Sequence, residues 1–97
     1  VRFPQGPPLM KYFVYLIISK NNGKLTSYVG YTNNLKKRLS LHNTSKGAKY
    51  TRGKFWTIIY KKKYLTKSIA MKEEYKLKKD IKLRSLIKKR YLGRFNA

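Results

Sequence analysis

The strongest pattern in the chain is a run without alternation, Lys11 to Ser19 (KYFVYLIIS), apolar on both faces and rich in β-branched and aromatic residues. Such a run predicts a strand covered on both sides of its sheet. Asn22-Gly23 follows, the pair that best tolerates the two positive φ angles of a type I′ turn, so Leu25 to Tyr31 (LTSYVGY) is expected to return antiparallel. Gly30 weakens that strand unless it marks a bulge or another group must come close to the backbone.

Beyond Tyr31 the period changes. Thr32 or Asn33 is expected to cap a helix running to about His42, with Leu35, Arg38, Leu39 and His42 on one face and Lys36 and Lys37 outside it. Residues 43–54 (NTSKGAKYTRGK) read as a glycine-containing loop bearing four positive charges and Tyr50, and Phe55 to Tyr64 as a third strand. Thr66 is expected to cap a second helix through about Lys79, whose inward stripe is Ala70, Glu73, Glu74, Leu77 and Ile81 and whose outer face is Lys72, Lys76 and Lys79. Leu83 to Leu92 has Leu83, Leu86 and Ile87 at helical spacing. The order β-β-α-β-α-α predicts an α+β fold, a three-stranded antiparallel sheet flanked by helices. Residues 1–9 hold all three prolines and precede Met10; they read as an upstream extension or expression remnant, leaving 10–97 as a single domain.

Composition narrows the function. The 97 residues carry 25 Lys and Arg against 3 Asp and Glu, a net charge of +22, with one His and no Cys. A chain this short buries roughly 60–65% of its unfolded surface and holds one core. Its 41% hydrophobic and 14% aromatic content argues against disorder. So much positive charge calls for a polyanionic partner, nucleic acid first and an anionic membrane second. The longest apolar run, Tyr12 to Ile18, is too short to span a bilayer and no signal peptide is visible, so a soluble, cytoplasmic protein without membrane association is expected. Lysines outnumber arginines 19 to 6, which favours diffuse attraction over geometric base readout. If roughly six to eight cations meet phosphates, log K falls with log salt at a slope of roughly −5 to −7.

The scarcity of acids excludes much chemistry. Glu73 and Glu74 are adjacent on a helix and cannot face each other as a carboxylate dyad, and multi-carboxylate two-metal sites are equally out of reach. Without cysteine there are no thiolate sites, and any metal is held by oxygen, and sparsely. Three polar groups nevertheless point inward: Arg38 and His42, one turn apart, and Glu74, which interrupts an apolar stripe. Two readings stand side by side. Arg38 and Glu74 form an internal salt bridge with His42 a satisfied rim histidine, or the three belong to a site. Tyr15 and Tyr28 lie on neighbouring strands about 4.8 Å apart, so their phenols can meet across the hairpin.

Val14-Tyr15, Tyr28-Val29-Gly30, Asn34-Leu35-Lys36-Lys37-Arg38-Leu39 with His42, Gly47-Ala48-Lys49-Tyr50-Thr51-Arg52, and Ala70 followed by Glu74-Tyr75-Lys76-Leu77-Lys78 occur in that order. Together they resemble the GIY-YIG endonuclease superfamily over about residues 11–90, most like its small stand-alone bacterial members and more distantly the amino-terminal nuclease domain of the UvrC excision-repair protein. Phe13 stands where the family name has Gly, which would narrow access to the backbone. Tyr31 and His42 stand where some relatives carry Lys and Tyr.

The resemblance implies a divalent-metal-dependent DNA endonuclease acting in repair or processing of unusual DNA. Glu74 would ligate one Mg²⁺ or Mn²⁺, Arg38 would hold the scissile phosphate, and Tyr15, Tyr28 and His42 would position and deprotonate the water. A tyrosine is the expected base, oriented by His42. A free phenol has a pKa of about 10, so positive charge from Lys24, Arg38 or the metal is expected to lower it. Gly30, Lys37, Lys46, Lys49, Tyr50 and Arg52 are the expected DNA contacts, Gly30 by letting the DNA backbone approach. A protein partner for targeting and a monomer or weak homodimer are the expected assembly. The rival reading is a non-catalytic basic nucleic-acid-binding module on the same fold, supported by charge alone.

Overall fold

The computed structural model describes residues 11–93, so the extension at 1–9 lies outside the described residues. Strand β1 (Tyr12–Asn21) and strand β2 (Lys24–Thr32) form the expected hairpin, with Tyr15 opposite Gly30 and Ile17 opposite Tyr28. Asn22 at φ 54° and Gly23 at φ 78° supply the two positive angles of its turn. Strand β3 (Thr57–Tyr64) pairs antiparallel with the other edge of β1, giving the order β2-β1-β3. Its register shifts between Leu16, opposite Tyr60, and Ile17, opposite Ile58, so the sheet's bulge falls at Ile59. The β1–β2 ladder runs through Gly30 unbroken, which removes a bulge as the reason for that glycine.

Helix α1 (Leu35–Asn43) covers one face of the sheet; α2 (Lys67–Lys79) covers the other, followed by α3 (Ile81–Gly93). Alternate residues of β1 feed the two layers. Val14 and Leu16 pack with Val29 against Ala70 and Leu77 of α2, whereas Tyr15 and Ile17 pack with Trp56, Leu35 and Leu39. That is why β1 has no polar face. The observed architecture is the α+β arrangement, β-β-α-β-α-α, that the pattern predicts.

Most element ends move by one or two residues from expectation, and three of these shifts have a visible cause. The cap of α1 is Asn34, whose Oδ1 accepts from the Lys37 N–H at 3.0 Å, because Thr32 stays in the ladder opposite Phe13 and its hydroxyl bonds the Asn34 backbone. Strand β3 begins at Thr57, after a 3₁₀ turn (Lys49–Thr51) and a segment in which Phe55 faces solvent while Trp56 turns into the core. Ile81 opens α3 and is exposed, because Asp80 ends α2 one residue earlier. Of the apolar residues of α3, Ile87 packs against the core while Leu83 and Leu86 stay open. Among the described residues no helix is long and apolar enough to cross a membrane.

Candidate active site

The hinge of the site is His42, which the α1 stripe carries inward until it is 0% exposed. It is therefore a core histidine and not the rim residue of the salt-bridge reading. Its ring nitrogens have different partners, Tyr15 Oη at 2.9 Å from Nε2 and Thr51 Oγ1 at 2.8 Å from Nδ1. The Thr51 hydroxyl donates its proton to the Ala48 carbonyl at 2.8 Å, so toward the imidazole it can only accept. That places the proton on Nδ1 and leaves Nε2 as the acceptor of the Tyr15 O–H. Tyr28 completes the cage with a tilted contact to the same ring, centroids 5.3 Å apart. Both phenol rings contact this histidine.

Thr51 is the buried His42 partner that the sequence pattern did not single out, although its segment carried part of the resemblance. It is held beneath His42 by the loop's closure on α1. Asn43 clamps Trp56 at both backbone groups, and the Trp56 indole N–H donates to the Thr51 carbonyl at 2.9 Å. Gly47 is the legible trace of this contact: a Cβ there would stand 2.6 Å from His42 Nδ1.

Gly30 has a similar cause. A Cβ at this position would collide with the Tyr15 hydroxyl and lie 2.6 Å from Cζ. The glycine makes room for the phenol to reach His42; the close approach is internal, and no approach of DNA is needed to account for it. Gly30→Ala is accordingly expected to displace a buried, hydrogen-bonded ring and cost about 1–3 kcal/mol. Urea midpoints of the two proteins measure this, and an unchanged midpoint would remove the steric explanation.

Burial, the largest influence, pushes the Tyr15 hydroxyl up to about 12, despite the opposing pull of Arg38. The expected lowering of this phenol is thus reversed. Lys24 pairs with Asn21 at the far end of the hairpin and cannot contribute. Burial first, and then the Arg38 charge, hold His42 down at about 4. In the unfolded chain the imidazole binds its proton at about 6.5, so the unfolded state takes up more protons between the two values. His42 therefore stabilises the fold fully above pH 6.5, and that contribution is lost as pH falls toward about 4. We expect a loss of roughly 2–3 kcal/mol across this window. Urea midpoints at pH 7 and 4.5, alongside the His42 ring resonances, measure it; a flat profile would contradict the buried neutral histidine.

A cleft of about 460 Å³ wraps the open edge of β2 beside this cage. Tyr15, Tyr28, Gly30 and Arg38 line it from the α1 side, and Glu74 and Lys67 of α2 from the other. Arg38 Nε donates to Tyr15 Oη at 3.5 Å, and Glu74 meets Lys78 at 3.3 Å. The alternative Arg38–Glu74 ion pair is not formed. Lys67, one turn short of Ala70, is the lining cation that the sequence reading missed; it lies outside the quoted motifs and only its spacing from Glu74 on α2 could have marked it. Phe13 does not line the cleft, so its bulk narrows nothing there, whereas Tyr31 does. Of the expected DNA contacts, Gly30 lines the cleft, and Tyr50 stands next to Tyr28 with ring centroids 6.1 Å apart. Lys37, Lys46, Lys49 and Arg52 are exposed residues outside its lining.

Tyr15, Tyr28, Arg38 and Glu74, from four elements, thus line one cleft, and a family model for the GIY-YIG catalytic domain matches residues 11–90. The chain belongs to the GIY-YIG family. Its relatives include a UPF0213 protein of Oceanobacillus iheyensis, 46% identical over 69 residues that cover 70% of this chain and 77% of that one. A UPF0213 protein of Staphylococcus haemolyticus is 38% identical over 71 residues, covering 72% of this chain and 83% of its own. The solution structure of a UPF0213 protein from Bacillus halodurans is 35% identical, covers 79% of this chain and 85% of that one, and superposes with a TM-score of 0.44. The GIY-YIG domain places this protein in a nuclease family.

Proposed function

We propose that this GIY-YIG protein is a divalent-metal-dependent DNA endonuclease that hydrolyses a phosphodiester bond, selects its substrate by DNA structure or strandedness, and serves repair or processing. The observation that carries this reading is the gathering of Tyr15, Tyr28, Arg38 and Glu74 on a single cleft. Net charge supplies the attraction; the cleft supplies the chemistry.

The donor set suits Mg²⁺ or Mn²⁺ in a particular way. Among the described residues there is no group of three or more His, Cys, Asp or Glu that could hold a metal. Glu74 is the lining carboxylate, its side chain 18% exposed and its partner Lys78 an exposed, movable lysine. Mg²⁺ commonly keeps several waters and takes one or two carboxylates plus phosphate oxygens, which fits a single acid in a roomy cleft. When bound, such an ion supplies positive charge against the negative charge that builds on the phosphate.

The chain's own residues divide the remaining work. Arg38 offers its guanidinium to the scissile phosphate, where paired hydrogen bonds persist as charge develops. Tyr15 gives its proton inward to His42 Nε2, so the lone pairs of Oη face Arg38 and the cleft. The phenol can then take a proton from the attacking water while its own passes to His42. No resting phenolate is required, and a hydroxyl pushed up to about 12 is no obstacle to this relay. Thr51 keeps Nε2 free to receive the proton, and Tyr28 fixes the ring and lines the water's approach. An entering phosphate offsets the Arg38 charge that disfavours the imidazolium.

A panel of end-labelled duplex, single-stranded, nicked and branched DNAs, incubated with Mg²⁺ or Mn²⁺ and with EDTA, tests the reading. Cutting that requires the ion supports it. Tight binding with no cutting of any substrate would leave the non-catalytic binding module. In the same binding assays we expect the roughly −5 to −7 slope of log K on log salt that six to eight phosphate contacts produce.

A further inference from the structure

A second depression, of about 250 Å³, lies against the cleft and shares the Tyr28 ring with it as a common wall. Ser27, Val29, Tyr50, Lys78 and Arg84 complete its lining. The route from one to the other follows α2: Glu74 faces the cleft, and Lys78, four residues or about 6 Å further along the helix, lines the second depression. Nothing in the hydrolytic cleft uses Tyr50 or Arg84.

Each of these two residues is built in a way that suits a nucleotide. The Tyr50 ring is 53% exposed and lies within 22° of parallel to Tyr28, so it continues the aromatic surface out of the cleft. Lys54 holds its ammonium 5.1 Å from the ring centroid and donates to the Tyr50 carbonyl at 3.5 Å, an exposed cation beside the ring that a phosphate can recruit. Arg84 is half-buried and pinned, with Nε donating to the Leu77 carbonyl at 3.1 Å and Nη2 to the Lys78 carbonyl at 2.9 Å. Of its five N–H donors two are spent on those carbonyls, and the described ion pairs give it no carboxylate. A guanidinium held this way loses little further freedom on meeting an anion.

We propose that this depression is a nucleotide subsite: it seats an unpaired nucleotide flanking the one cut, its base on Tyr50 and its phosphate on Arg84. The identity of the strand rests on the nuclease reading. A base inside a duplex has both faces covered by its neighbours, so only a nucleotide free of pairing can lie against a protein ring. The subsite thus supplies a physical cause for selection by strandedness.

The experiment reads binding with EDTA present, so that it does not depend on cutting. Single-stranded oligonucleotides carrying 2-aminopurine at successive positions are titrated with wild type, Tyr50→Ala, Tyr50→Trp and Arg84→Gln, and the duplex of the same sequence serves as reference. We expect one position whose fluorescence is quenched on binding. Tyr50→Ala removes that quench and weakens single-strand affinity on the order of 10-fold, with duplex affinity within about twofold, while Tyr50→Trp keeps both. Arg84→Gln makes the salt slope shallower by about one. A quench that survives Tyr50→Ala, or equal losses on single strand and duplex, would overturn the subsite. Tyr50 is half-exposed and its side chain meets the fold through ring contacts, so the Tyr50 pair decides the matter even if Arg84→Gln unfolds. A Tyr50-dependent quench in a protein that cuts nothing would sink the endonuclease reading and leave the subsite standing.

Discussion

Glu74→Gln is expected to lower Mg²⁺-dependent cutting by on the order of 10³-fold or more, with DNA affinity unchanged within about twofold. The substitution keeps the size of the side chain and removes only its charge. Glu74 is the carboxylate that lines the cleft, and Glu73 is turned to Lys76 at 3.1 Å, so no neighbour can take over its oxygens. The fold has little at stake, since the pair with Lys78 is an i,i+4 contact of a few tenths of a kcal/mol. Releasing Lys78 adds a free cation beside the cleft, so any change in affinity should be a gain. Single-turnover rates on end-labelled DNA and anisotropy titrations in EDTA separate the two quantities. Equal metal-dependent cutting by wild type and Glu74→Gln would remove this residue, and with it the one-carboxylate site.

How far the sequence shows this site depends on what kind of constraint places each residue. Arg38, His42 and Glu74 were legible because a polar group at an inward helical position is expensive, and periodicity reveals it. The strands and helices were legible for the same reason, through β1's unbroken apolar run and the capping threonine Thr66, whose hydroxyl accepts from the Ile69 N–H. Thr51 was not, since a loop has no period and its burial follows from a clamp between Asn43 and Trp56 that only the folded chain assembles. The direction of the Tyr15 shift does not follow from net charge, because desolvation of the buried phenol outweighs it. A charge of +22 spread over the surface acts through water, whereas the loss of water around a buried hydroxyl acts at contact. Gly30 illustrates a third case: the glycine itself was conspicuous, but its cause was an internal ring and not a ligand.

Arg38→Ala couples the two halves of the site and should change three observables in different directions. Cutting is expected to fall about 10²–10³-fold, the usual cost of removing one donor aimed at developing negative charge. DNA affinity should drop only a few-fold, with a salt slope shallower by about one, because a single phosphate contact among several is lost. The His42 pKa should rise above its present value of about 4, since the guanidinium is one of the two influences that hold it down, and should stay below 6.5 because burial persists. Tyr15 loses the hydrogen bond and charge that oppose its desolvation and becomes a still weaker acid. Arg38→Lys sharpens the comparison: it keeps a positive charge near His42 but lacks the paired donors, so it should retain most of the low histidine pKa and most of the affinity without recovering the rate. The His42 ring resonances followed by pH, with single-turnover rates for the three proteins, provide the measurement. A histidine whose pKa does not move in Arg38→Ala, or a lysine variant that cuts like wild type, would show that Arg38 neither polarises the relay nor grips the phosphate in the way its position implies.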